Sequence, residues 1–385
     1  MWRYSRVGDL DLDRFRFEPA VEVPAGVPAG LEALLAEIPE RAGLVVVRDG
    51  RIAHVELAAE WSKRGVGVGG LAEADGAEGI LGGVAGERGD LFSQLNDAFA
   101  VEPVLIRVPA GVVIDAPIVV AHWTETEGLA VLPRLVVTAG PNADVQVLDL
   151  QASPDGVEAL VLPIVELDAA DAARLRYCNV QVLGDRTWQI ATHASTVGAQ
   201  ATLRSFVGAF GGEYARVRTD CRLAGQGATG DLFAAYFGTG DQTLDFRTFQ
   251  DHAAPDTTST LLFKGAVDDR SRSVYTGLIQ VRPQARGTNA FQTNRNVKLS
   301  PDAWAESVPN LQIENNDVRC SHASTVGPID EDQRFYLESR GVPPEVAERL
   351  IVSGFFDEVL DGVSVPAAGA LLRRLLAESL DGAAS

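Results

Sequence analysis

ATLRSFVGAFGGEYARVRTDCRLAGQGATGDLFAAYFGTGDQTLDFRTFQ, residues Ala201–Gln250, carries β-like runs beginning near Ala201, Tyr214, Asp231 and Gln242. Gly211-Gly212 and Gly238-Thr239-Gly240 break them, as turn residues do between strands. Outward from this stretch the same pattern recurs. First runs start near Val113, Ala143, Ala173, Ala201, Asp231, Thr260, Asn289 and Val318, at intervals of 30, 30, 28, 30, 29, 29 and 29 residues. Second runs follow at Glu158–Leu167, Trp188–Ser195, Tyr214–Leu223, Gln242–Phe249 and Val274–Val281. A constant period of this length predicts a solenoid. Two strands per turn make a flattened β-helix whose turns stack ~4.8 Å apart, each burying its apolar side against its neighbours. The competing reading is an ordinary β-sandwich with strands every ~8–15 residues.

The predicted repeat spans residues 111–327, with a mixed α/β region over 1–110 and a helical domain over 328–385. In the first region, Leu31–Ile38 reads as a short helix. Leu44–Leu57 reads as a hairpin, because Asp49-Gly50 is a type I′ turn pair between apolar runs. Gly65–Gly86 reads as a loose loop, and Asp90 as the cap of a helix over DLFSQLNDAF. At the other end Asp330 caps a helix with Gln333 at its third position, and Gly341 closes it. Pro343-Pro344 opens a second helix, and Pro366–Leu380 forms a third. Such helices either cap the end of a solenoid or offer a face to a partner.

The chain has 385 residues, 46% of them hydrophobic, enough for a large core. Its net charge of −20 argues against nucleic acid, whose phosphates call for an excess of Lys and Arg. Three dispersed cysteines, Cys178, Cys221 and Cys320, make no disulfide framework and suit a reducing cytoplasm. No apolar run is long enough for a transmembrane helix, and the N-terminus does not read as a signal peptide.

The candidate chemistry lies in DVRCSHASTVG, Asp317–Gly327. Cys320 and His322 are two apart on a predicted strand, so they share a face, and both are ordinary metal ligands. They fall in the last turn of the repeat, an edge open to another chain. An iron–sulfur cluster needs four ligands. Cys178 and Cys221 lie about five and three turns away, ~24 Å and ~14 Å at that spacing, so a partner would supply the rest. The plainer reading makes Cys320 a small packed hydrophobe and His322 a satisfied core residue. His252 with neighbouring Asp251 and Ser259 allows a hydrolytic arrangement to be imagined, but no nucleophile elbow surrounds it. No P-loop is present. Asp268, Asp269, Glu314 and Asp317 could line the face of a β-helix polysaccharide-cleaving enzyme.

Several segments resemble the SufB/SufD family of iron–sulfur cluster assembly proteins. They are HAAPDTTSTLLFKGAVDDRSRSVYTGLIQV (His252–Val281), TNAFQTNRNVKLS (Thr288–Ser300), VPNLQIENNDVRCSHASTVG (Val308–Gly327) and RFYLESRGVPPEVAERLIVSGF (Arg334–Phe355). Trp2–Tyr4 and DLFSQLNDAF match more weakly. Cys-Ser-His resembles the SufD branch, where SufB-type chains carry a Leu-Glu-His-Glu-like run. Asn289, Asn315-Asn316 and Ala323-Ser324 depart from that pattern.

The resemblance implies a right-handed parallel β-helix between terminal helical regions. It implies pairing with a SufB-like subunit through the solenoid ends and binding of a SufC-like ABC ATPase by the C-terminal helices. It also implies a non-catalytic scaffold role, with a transient iron–sulfur cluster at the SufB–SufD interface. His322 is then the metal ligand on this side, and Cys320 lies at the same face. Without a partner, a second copy of this chain could occupy the edge. A purely architectural subunit that never touches iron is the alternative.

Overall fold

The computed structural model describes residues 4–18, 22–74, 79–86 and 90–383; Trp2 and Arg3 of the weak N-terminal match lie outside them. The repeat is a β-solenoid. Among the described residues one sheet has 10 strands, from Arg51–Leu57 and Gly43–Arg48 through Ile118–Trp123 to Val318–Pro328. The other has 11, from Gly67–Gly70 and Val104–Val108 to Trp304–Ile313. Over the repeat, successive turns pair in parallel, as Tyr214–Leu223 does with Thr243–His252.

The predicted strands are present except that the run near Val113 makes only an isolated bridge to Asp144, the strand there beginning at Ile118. Tyr214–Leu223 has the limits read from the sequence, while the run at Val274 begins two residues earlier, at Arg272. Glu158–Leu167 is divided into Ala159–Val161 and Ile164–Ala169, with Pro163 between them, because proline offers no N–H to a ladder. Every second side chain points inward. Leu203, Val217, Leu232, Phe246, Leu261 and Tyr275 meet there in one continuous buried core.

One corner of the coil is built from left-handed residues. Gly111, Asn142, Ala172, Gln200, Gly227, Asp256 and Gly287 all have φ between 56° and 72°. Each donates its backbone N–H to the next turn: Gly111 to Pro141, Asn142 to Asp171, Ala172 to Ala199, and onward to Gly287 with Asp317. This conformation strains any residue with a Cβ. Its recurrence shows that a hydrogen-bonded ladder outweighs the local cost at four of the seven positions.

The flanking segments cover the outer faces. Ala29–Ala36, Pro344–Leu360 and Ala368–Ala383 lie on the first sheet, burying Leu31, Leu35, Val352, Phe356, Leu371 and Leu372 against it. Phe15 and Phe92 cover the second sheet through Trp188, Ile190 and Tyr214. The hairpin turns at Asp49 and Gly50, with φ of 46° and 84°, and Asp90 accepts from Ser93 N at 2.9 Å. Asp330 accepts from both Asp332 N and Gln333 N, as the sequence predicts. The expected loose loop over Gly65–Gly86 is corrected in part. Gly67–Gly70 is a strand, held by antiparallel pairing with Val104–Val108 despite its weak intrinsic preference. The C-terminal helices lie beside the coil and leave its last strand unsealed.

Candidate functional site

Among the described residues the terminal strand Val318–Pro328 pairs only with Thr288–Lys298, so its other edge is open. Cys320 stands over Ala290 and His322 over Gln292, both on the side facing the coil interior. Cys320 is half-buried and packs on a small cluster of Ile279, Val281, Ala285 and Ala290. Burial pushes its thiol pKa up, partly offset by a backbone hydrogen bond involving Ala290. His322 is exposed. The pair therefore sits where the interior reaches solvent. Among the described residues no three His, Cys, Asp or Glu side chains gather to hold a metal.

The other cysteines have different surroundings. Cys178 is sealed in the layer between the first sheet and the helices, and burial raises its thiol pKa. Cys221 is in the coil core, with its thiol pushed up to about 12 by burial. They sit five and three strand positions from their sheets' terminal strands. Neither meets Cys320.

His252 is a satisfied interior residue. Its Nδ1 bonds Thr257 Oγ1 at 2.8 Å and its Nε2 bonds Ser259 Oγ at 2.9 Å. Burial lowers its pKa to about 4. Asp251 points the other way, to Arg282 at 2.8 Å and Arg222 at 3.4 Å, so no charge-relay triad forms. The carboxylates weighed for a glycan-cleaving face do not converge. Asp268 and Asp269 lie at a turn leading into the second sheet, Glu314 and Asp317 at a turn leading into the first, on opposite edges of the coil.

Sequence reading missed a buried polar cluster around Asp149. This carboxylate is 0% exposed and accepts from Tyr177 Oη at 2.7 Å, Gln151 Nε2 at 3.1 Å and Asn179 Nδ2 at 3.2 Å. His122 Nε2 lies 3.4 Å away and its pKa is lowered by burial, an effect Asp149 opposes. The available signal was polar residues at alternate positions, Asp149 and Gln151, then Tyr177, Asn179 and Gln181 one period later.

The fold is a β-solenoid whose last turn opens a cysteine–histidine pair to solvent. The family described as "SUF system FeS cluster assembly, SufBD core domain" matches residues 122–355. The chain belongs to that family, whose work is iron–sulfur cluster assembly. It is 39% identical over 210 residues to an iron-sulfur cluster assembly SufBD family protein of Mycobacterium tuberculosis, covering 52% of this chain and 53% of the relative. A Mycobacterium leprae protein of the same description is also 39% identical over 210 residues, covering 52% and 54%. One from Staphylococcus saprophyticus is 26% identical over 267 residues, covering 69% and 57%. The chain spans about half the length of the curated relatives it matches. Among the described residues no helix is long and apolar enough to cross a membrane.

Proposed function

We propose that this chain is a SufD-type scaffold subunit that builds iron–sulfur clusters jointly with a SufB-like chain. The cluster is its cargo. His322 offers iron an imidazole nitrogen and Cys320 a thiolate, and the partner completes the coordination sphere. The carrying observation is the open edge of Val318–Pro328 with both ligand types turned toward its solvent-reaching interior side. An unpaired edge favours addition of another chain.

A SufC-like ABC ATPase docks on the C-terminal helices in this reading. Glu331–Ser339 has no buried residue. Phe335, Tyr336 and Leu350 are 72%, 58% and 52% exposed, an apolar surface beside a groove of about 860 Å³. Such a surface suits a protein partner. Lys264 anchors the second helix from beneath, donating to Phe355 O at 2.7 Å and pairing with Glu358 at 2.5 Å.

The test is His322→Ala in the co-expressed complex, read by size exclusion and by iron and sulfide content. Assembly should persist and cluster content should collapse. Undiminished iron and sulfide would reduce the chain to an architectural subunit.

A further inference from the structure

Beneath the exposed pair, the coil interior is polar and unsatisfied. Gln292 lies one strand below His322, in register with it, ~4.8 Å away along the stack. It is 1% exposed, and neither Oε1 nor Nε2 has a hydrogen-bond partner among the described residues. The amide reaches across to the facing sheet. A Cβ at Gly277 would collide with Gln292 Nε2 and with Tyr275 Oη, so glycine leaves the room the amide fills. Pro309 stands one strand above Gly277, which puts the amide under the gap between Pro309 and His322. Ser307, on the same strand as Pro309, also has a buried Oγ without a partner.

An unpaired buried amide costs ~1–3 kcal/mol. Directly below it in the same column stand Leu261 and Leu232, both buried in the coil core, so an apolar side chain is accommodated at this position one and two turns down. We infer that Gln292 is a positioning residue for His322, an inference that rests on the ligand role proposed above. When a partner covers the end of the coil, the imidazole N–H turned inward donates to Gln292 Oε1. The other ring nitrogen then directs its lone pair out toward iron. Metal-bound imidazoles are commonly fixed in this way, through the nitrogen that does not touch the metal.

The experiment titrates Co²⁺ into the co-purified complex of this chain with its SufB-like partner and follows the cobalt–thiolate absorption. Gln292→Met keeps volume and removes the acceptor; Gln292→Glu restores an acceptor. His322→Ala is the control. The expected result is affinity weakened about 10–100-fold by Gln292→Met and recovered by Gln292→Glu, while the thermal midpoint of Gln292→Met is equal to or above that of the wild type, because the unpaired amide is removed. Should the Met chain not fold, Gln292→Asn keeps the amide but shortens its reach: weakened affinity supports the inference, wild-type affinity overturns it. Wild-type affinity in Gln292→Met alongside loss in His322→Ala overturns the inference and leaves the ligand role standing. Cobalt binding indifferent to His322→Ala, or no cobalt–thiolate signal in the wild type, overturns both.

Discussion

The middle turns and the last turn of the coil are built from the same residue types on the same backbone, yet they differ in chemistry. In the middle, Cys221 is sealed in the core with a thiol pushed up to about 12, and His252 has both ring nitrogens bonded. At the end, Cys320 is half-buried and His322 exposed. Reactivity here is a property of position along the stack. Each turn protects the one beneath, and among the described residues no strand lies above the last.

The widest contrast lies in thiol access. A disulfide reagent should modify Cys320 readily in the native chain. Cys178 and Cys221 should react more than ~1,000-fold more slowly, because they require opening of the core. Labelling rates followed by peptide mass mapping test this, and rapid native labelling of Cys221 would break the distinction. The Cys320 rate should climb with pH beyond the ordinary thiol range, since burial raises its pKa.

Next in size is a buried charge of the middle turns. Asp245 is 0% exposed and holds Arg216 at 3.2 Å and Arg247 at 2.7 Å, with Tyr214 Oη at 2.9 Å. Asp245→Ala should destabilise by about 3–5 kcal/mol, the cost of removing one partner from a buried ion pair. Urea denaturation measures it. A loss below ~1 kcal/mol would mean the middle is as tolerant as an exposed surface.

The smallest effect is linked to pH. His252 has its folded pKa lowered to about 4, so the unfolded chain binds the proton more tightly. Its contribution is intact above the unfolded value near 6.5 and is lost as pH falls from there toward 4, an order of ~3 kcal/mol at most. Comparing urea midpoints at pH 7 and 4.5 should show a shallower pH slope in His252→Gln than in the wild type. Equal slopes would remove His252 as a contributor.

Much of the coil could be read from the chain because its period is carried by apolar alternation. The corner ladder could not. Its left-handed position is filled by Gly, Asn, Ala, Gln, Gly, Asp and Gly in turn, so conformation repeats where composition does not. Gly67–Gly70 escaped notice for a related reason, since three of its four residues are glycine and only pairing makes it a strand. The joining of Gly43–Arg48 to Ile118–Trp123 is a long-range match that no local pattern announces. At the end of the coil, the shared face of Cys320 and His322 followed from their spacing. The place of Gln292 beneath His322 needed the register between strands, which a single sequence does not display.

The left-handed corners also constrain how such a molecule can change length. Each corner N–H is received by the following turn, so an added or missing single residue would break the ladder for everything above it. Removal of one whole period would instead re-close it. The height of the terminal surface can therefore be adjusted only in steps of ~4.8 Å, a vernier by which a lineage could match the reach of two partners while the surface itself stays the same.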